Sequence, residues 1–363
     1  MTIAQVAKKI VNECLQVKED EQVLVSAWNH TIDYANALAL EVEKAGGTPL
    51  VTLDTDEMFW GHLTKVSETH YGRPRRAFLS ALEQTDASVF LGGPEDPSGF
   101  RKVPGDRLAK SFESEKAVMD KFRDRKIRSV DLPVGQMTPQ RAKTYGFNLA
   151  RWRRITDNAM SVDHRKMSAL GQKVAAKLGT ASKVNITAKN GTDLSFTITG
   201  RPVHVHDGIV DPADVAKGTY SESLPSGNVA VAAVEDSAQG TIAFDQPMAL
   251  RGKLVKGLKW KFENGKLTST EAKANLEAFT GFYSGATGDK DRIGWFSIGI
   301  NPRADFIGYF TDGLVLGAVS VGVGSNKDLG GNNDTTFAHS QTLSKPTVEV
   351  DGTTILADGK LKI

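Results

Sequence analysis

The stretch QVLVSAWNHTIDYANALALEVEKAGGTPLVTLD, Gln22 to Asp54, decides the fold. Gln22-Val23-Leu24-Val25-Ser26 is a short apolar run with the length of a buried strand. Thr31 to Lys44 carries apolar residues at helical spacing and is closed by Gly46-Gly47, and Pro49 to Leu53 is a second strand. Strand, helix, strand in that order implies parallel pairing through a right-handed crossover.

Working outward, the same grammar continues. Residues 3–16 read as an amphipathic helix, Pro74 to Glu83 as a helix, Ala87 to Leu91 as a strand, Asp106 to Arg123 as a helix and Ile127 to Asp131 as a fourth strand. The expected fold is α/β, with a doubly wound N-terminal domain. Ligands of such sheets gather at the carboxyl ends of the strands. Those ends carry Trp28-Asn29-His30, Asp54-Thr55-Asp56 and Gly92-Gly93-Pro94-Glu95-Asp96. No G-x-G-x-x-G follows the first strand, so a dinucleotide role has no support. A long helical region from about Pro139 to Leu178, broken near Thr156, links this half to the next.

From Lys183 the pattern changes to short alternating runs: Val184 to Thr187, Leu194 to Thr199, Val229 to Val234 and Thr241 to Phe244. Asn190-Gly191, Asn264-Gly265 and Asp351-Gly352 separate such runs as hairpin turns. Glu271 to Phe279 is the one clear helix of this half. The 363 residues therefore divide into an α/β domain over 1–175 and a β-rich, mixed α+β domain over 176–363.

Forty-five basic against 43 acidic residues leave a net charge of +2, which gives no electrostatic reason to expect nucleic acid or an anionic membrane as partner. Arg151-Trp152-Arg153-Arg154 reads as a solvated helix face. The single cysteine, Cys14, excludes an internal disulfide framework and a multi-thiolate zinc site, and its spacing with Ile10 and Val11 is that of a core residue. Nowhere do eighteen apolar residues follow one another, and the N-terminus lacks a basic segment followed by an apolar run. A reducing cytoplasm is the expected compartment.

Four segments of the second half carry a resemblance: LPSGNVAVAAVEDSAQGTIAFD from Leu224, RIGWFSIGINPRADF from Arg292, AVSVGVGSNKDLGG from Ala318 and FAHSQTL from Phe337. Their order and spacing resemble the thermophilic-type metallo-aminopeptidases of the aminopeptidase T family and their ring-cleaving relatives, the 2,5-dihydroxypyridine dioxygenases. The resemblance implies a two-metal site of two glutamates, two histidines, a tyrosine and an aspartate for the peptidases, and an iron held by two histidines and an aspartate for the dioxygenases. Carried onto this chain, the first glutamate falls on Asn228, the second on or beside Trp295, and the first histidine on Ser320. In the final H-x-D pair His339 takes the histidine place and Gln341 replaces the aspartate. That last match needs one extra residue after Gly331, and on a strand a one-residue slip turns a side chain to the opposite face. The implied metal chemistry is thus lost at most of its positions, and no metal or other cofactor is expected.

What remains is a polar cavity. His339 is the candidate general base, acting on water or on Ser320, with Asn228, Gln341 or backbone amides stabilising an oxyanion. Glu235, Asp236, Asp305, Asp312 and Asp334 are candidate orienters of that base, and Ser320 reads equally as a small residue of the apolar run Ala318 to Val321. Trp295 offers an aromatic face, and Arg303 can pair with a carboxylate on a substrate or with an acid of its own chain. His204 and His206 alternate on one strand face in RPVHVHDG and either line the cavity or seed a relocated zinc site. The expected function is a small-molecule hydrolase acting on an amide, strained-ring or ester bond of an aromatic or heterocyclic substrate in a catabolic pathway, independent of the family metal centre. The resemblance also implies a homo-oligomer. The alternatives are a metallo-aminopeptidase with a rebuilt site, an iron-dependent ring-cleaving dioxygenase and a non-catalytic binding protein.

Overall fold

The computed structural model describes the chain apart from residues 68, 69, 71, 72 and 74. Its elements begin with α1 (Ile3–Lys9), which runs on as a π-helical turn over Ile10–Cys14, then β1 (Gln22–Trp28), α2 (Ile32–Lys44), β2 (Thr48–Asp54), α3 (Asp56–Lys65), α4 (Arg76–Leu82), β3 (Ala87–Phe90), α5 (Gly105–Ser114), α6 (Lys116–Asp124), β4 (Arg128–Asp131) and α7 (Pro139–Tyr145). There follow α8 (Leu149–Met160), α9 (His164–Leu178), β5 (Lys183–Ala188), β6 (Thr192–Thr197), β7 (Val203–His206), α10 (Pro212–Lys217) and β8 (Ser221–Ser223). The rest is β9 (Asn228–Ala232), β10 (Gln239–Ala243), β11 (Met248–Leu250), β12 (Lys253–Val255), β13 (Lys259–Glu263), β14 (Lys266–Glu271), α11 (Glu277–Gly285), β15 (Ile293–Gly299), β16 (Val319–Gly324), β17 (Ala338–Leu343), β18 (Thr347–Val350), β19 (Thr353–Ala357) and β20 (Lys360–Leu361).

These elements form two compact units, Met1–Arg153 with Gly208–Pro225, and Arg154–Asp207 with Ser226–Ile363. A single boundary at 175/176 is therefore corrected. The chain leaves the first unit within α8, and returns to it for α10 and β8, because β8 completes a parallel sheet begun 200 residues earlier.

That sheet has the order β2-β1-β3-β4-β8, and every neighbouring pair is parallel. Val23, Leu24 and Val25 of β1 are buried, as a strand covered on both faces requires. The strand order reverses between β1 and β3, which makes their carboxyl ends the topological switch point. A one-turn helix over Pro133–Gln136 fills this place. A Cβ on Gly135 would come within 2.1 Å of the Leu91 carbonyl oxygen and 2.5 Å of Thr31 Cγ2, and His30 Nε2 is 2.7 Å from the Gly135 carbonyl oxygen.

Several element boundaries differ from expectation. The helix expected over 106–123 is two helices that meet at Glu115. The long region from Pro139 is three helices, broken at Gly146, whose φ of 71° is left-handed, and before Asp163, which caps α9 by accepting from the Lys166 N–H. Thr156 lies inside α8. Residues 266–271 are strand, and helix begins only at Glu277, because Asn275 with φ of 61° cannot be helical. Of the helix read from Pro74, Pro74 lies outside the described residues and Arg76–Leu82 is helical.

In the second unit an antiparallel sheet runs β14-β13-β10-β6-β5-β18-β19-β20, and a second runs β17-β16-β15-β9-β7. The hairpin turns read from Asn264-Gly265 and Asp351-Gly352 are present with positive φ at both residues of each, and the β5–β6 pair brackets Asn190-Gly191. Phe196 of β6 and Phe296 of β15 meet edge to face with ring centroids 5.4 Å apart, joining the two sheets through a common core. Helix α9 covers the β7 end of the same sheet face; a Cβ on its Gly171 would come within 2.5 Å of Val205 Cγ1. Among the described residues no helix is long and apolar enough to cross a membrane.

Candidate active site on the five-stranded sheet

Directly opposite residues on antiparallel strands share a face, and successive residues alternate. The register of the five-stranded sheet therefore sorts every candidate side chain. One row across it is His206, Asn228 and Gly299. The next is His204, Ala230, Ser297, Ser320 and Thr342, and a third is Ala232, Trp295, Gly322 and Ser340. All three rows lie on one face. The opposite face carries Val205, Val229, Ile298, Val319 and Leu343, then Val203, Val231, Phe296, Val321 and Gln341, then Val323 and His339.

This partition corrects the central expectation. His339 and Gln341 stand on the apolar face, while Ser320, Asn228, Trp295, His204 and His206 stand on the polar one. Ser320 and His339 cannot form a nucleophile and base, because the sheet lies between them. The residues of β17 that join Ser320 on its face are Ser340 and Thr342, one position further on. The extra residue after Gly331 has this outcome.

The surroundings agree with the register. The His339 ring packs against Phe279 and Trp260, with centroids 5.3 Å and 6.1 Å away. Its Nε2 is sealed from solvent and has no hydrogen-bond partner among the described residues. Burial, helped by the Arg251 charge, pushes its pKa down to about 3. Gln341 is fully buried, and its Nε2 donates to the Gln246 carbonyl oxygen at 2.7 Å. Gln341 is part of the core, and His339 is half-buried at its margin with the ring turned inward.

On the polar face, Ser320 is buried and its hydroxyl is 2.9 Å from that of Thr342. A turn over Phe310–Leu314 lies on top of them: a Cβ on Gly313 would come within 2.7 Å of the Ser320 hydroxyl oxygen. Ser320 is closed off by this turn. Asp312 within it accepts from the Ile307 and Gly308 N–H groups, both at 2.9 Å, and burial pushes its pKa up to about 6. Its carboxylate shapes the turn. Glu235 likewise serves a loop, accepting from Asn332 N–H at 2.7 Å and Asn326 Nδ2 at 3.0 Å. Asp334 pairs with Lys327, and Asp305 accepts from the Phe306 N–H.

Further along the face, small residues form a floor: Ala230, Ser297, Ala232 and Gly299. Strands in a sheet lie roughly 5 Å apart, so His204 is separated from Ser320 by roughly 15 Å of that floor. The His204 and His206 rings are nearly parallel, 19° apart, with centroids 6.4 Å from one another. Asn228 pairs with His206 in register, and its Oδ1 is buried without a partner among the described residues, an arrangement that costs about 1–3 kcal/mol unless a donor meets it. The Trp295 indole lies flat on Gly322; a Cβ there would fall 2.5 Å from Trp295 Cε2. Arg303 belongs elsewhere. It follows β15 on the side of α9, and its Nη1 donates to the Ser161 hydroxyl at 2.8 Å.

The groups on the polar face do not fit a two-metal centre. Such a centre needs several carboxylates and imidazoles converging on one place. Here two imidazoles stand at one edge among amide, indole and hydroxyl groups, and among the described residues no three His, Cys, Asp or Glu side chains come together in a way that could hold an ion. Sequence reading passes over Ser297, Ser340 and Thr342; His339 to Thr342 are four consecutive polar residues, so the segment itself does not say which pair faces the polar side.

A family model described as thermophilic metalloprotease (M29) matches residues 1–301. The fold is similar to that of wild-type AmpT from Thermus thermophilus, with a TM-score of 0.78 at 15% identity over 99% of both chains. It is also similar to that of 2,5-dihydroxypyridine dioxygenase from Pseudomonas putida KT2440, with a TM-score of 0.65 at 14% identity over 99% of this chain and 96% of that one. No curated protein matches the sequence.

Proposed function

The chain belongs to the thermophilic metalloprotease (M29) family, and we propose that within it this protein hydrolyses C–N or ester bonds of small molecules without a metal centre. The observation that carries this reading is the composition of the polar sheet face, where Asn228, Trp295, Ser320, Ser340 and Thr342 offer no carboxylate.

His206 takes the place of His339 as general base, because it shares the face and the register row of Asn228. The imidazole takes a proton from water as the water oxygen attacks the acyl carbon, and the Asn228 amide N–H donates to the oxyanion; when this tetrahedral intermediate collapses the C–O or C–N bond breaks, and the imidazolium returns its proton to the leaving alcohol or amine. Without a Lewis acid the leaving group must be a good one, which favours esters, strained rings and activated amides over peptides.

The test is elemental analysis of the purified protein combined with turnover of 4-nitrophenyl acetate, a β-lactam and leucine 4-nitroanilide, with and without EDTA. Ester or lactam hydrolysis that survives EDTA and falls by about a hundredfold in His206→Ala supports the reading. Stoichiometric metal whose removal abolishes turnover overturns it.

A further inference from the structure

The second unit holds a cleft of about 440 Å³ whose lining includes Val162, Asp163, Lys166, Met167, Ile300 and Arg303. It lies on the side of the five-stranded sheet that α9 covers, since Ile300 Cδ1 and Val205 Cγ1 are the groups nearest to a Cβ built on Gly171 of α9. The polar face with His206 and Asn228 is on the other side. The cleft is therefore a separate place, and its size is at the lower end of small-molecule sites, roughly 300–1,000 Å³.

Its floor and rim differ in chemistry. Met167, Val162 and Ile300 are buried and apolar. The rim carries two cations and one anion: Arg303, Lys166 and Asp163. Asp163 is already committed, because its side chain accepts from the Lys166 N–H at 3.2 Å and caps α9; that bond, with the Lys166 charge, holds its carboxyl below the usual range. The helix end is satisfied by this cap, so the anion partner in the cleft is the guanidinium.

Arg303 is held in place from two directions. Asn301, fully buried, accepts the Arg303 N–H at 2.9 Å and donates through Nδ2 to the carbonyl oxygens of Ala159 at 3.1 Å and Ser226 at 2.7 Å. The Ser161 hydroxyl spends its proton on the Asn158 carbonyl oxygen at 2.8 Å and so can only accept from Arg303 Nη1, also at 2.8 Å. This fixes one edge of the guanidinium. The Nε and Nη2 edge has no partner among the described residues and matches the two oxygens of a carboxylate.

We propose that this cleft binds a small carboxylate with an apolar tail, the carboxylate on Arg303, beside the Lys166 ammonium that lies 3.7 Å from Asp163, and the tail against Leu170 and Pro302, over the sealed floor of Met167, Val162 and Ile300. Nothing in this inference depends on the chemistry of the polar face.

The full-length protein would be titrated with acetate, butyrate, hexanoate and neutral hexanamide, read by calorimetry and by the ¹³C-methyl methionine spectrum, in which Met167 is assigned by Met167→Leu. The expected result is saturable binding of hexanoate that shifts the Met167 methyl. Affinity should rise about threefold per methylene, and hexanamide should bind at least about tenfold more weakly. Arg303→Gln should weaken hexanoate by about tenfold or more, and Arg303→Lys should restore part of the loss. Should Arg303→Gln fail to fold, Lys166→Gln, at a side chain 88% exposed, gives the second reading with an expected loss of about threefold. Equal binding of hexanoate and hexanamide, an unmoved Met167 methyl, or no saturable binding overturns the proposal.

Discussion

Replacing His339 with Phe separates a histidine packed on the apolar face from a catalytic one through pH. In the folded protein burial and the Arg251 charge push the His339 pKa to about 3, against an ordinary value of 6.5. Between these values the unfolded chain binds a proton that the folded chain refuses. Stability is therefore highest above pH 6.5 and falls as pH drops through the window down to about 3. At about 1.4 kcal/mol per pKa unit, the loss is about 2 kcal/mol on going from pH 7.5 to pH 5, and about 4–5 kcal/mol below pH 3. Phe at this position keeps the packing against Phe279 and Trp260 and has no proton to refuse. It also removes the unpartnered Nε2.

The assay is urea unfolding of wild type and His339→Phe at pH 7.5 and pH 5, taking the difference of differences so that other titrating groups cancel. At pH 7.5 the two should agree within about 1.5 kcal/mol, and at pH 5 the variant should gain about 2 kcal/mol relative to wild type. Turnover of any substrate should be retained. A variant whose stability follows the wild-type pH profile, or one that folds and has lost all activity, would refute the placement of His339 on the apolar face.

Other substitutions probe the polar face and its supports. Gly322→Ala pushes a methyl into the Trp295 indole and should cost about 1–3 kcal/mol while shifting the tryptophan emission, a change absent in a Trp295→Phe background. Ser320→Ala leaves Thr342 without its hydroxyl partner and should lower stability by about 1 kcal/mol with turnover unchanged; complete loss of turnover in a folded Ser320→Ala would restore the nucleophile reading. Asn301→Ala strips the Arg303 turn of its buried anchor and should cost about 3 kcal/mol in chemical denaturation.

How much of this was legible in the chain varies with the range of the interactions. Strand β1, helix α2 and strand β2 follow from local apolar spacing and from Gly46-Gly47, and they appear within a residue or two of expectation. Hairpins at Asn264-Gly265 and Asp351-Gly352 follow from backbone preferences of the turn residues themselves. The helix expected from Glu271 was misplaced because 266–271 pairs with β13, a long-range contact that overrides local propensity. The return of the chain to the first unit at 208–225 had no local signal at all, since β8 has three residues and is a strand only through β4.

The candidate site divides in the same way. The α/β class, the alternation that makes strands of the second half, the family resemblance and the replacement of its ligand residues by Asn228, Trp295 and Ser320 are all readable from local residue order. Which side of the sheet each candidate faces depends on strand pairing over long range. A strand has a side-chain period of two, so the residues after a Gly-rich loop can present either His339 and Gln341 or Ser340 and Thr342 to the polar face with equal local propriety. Pairing of Val323 with His339 and of Ser320 with Thr342 settles the choice, and burial of the His339 ring among Phe279 and Trp260 fixes it energetically.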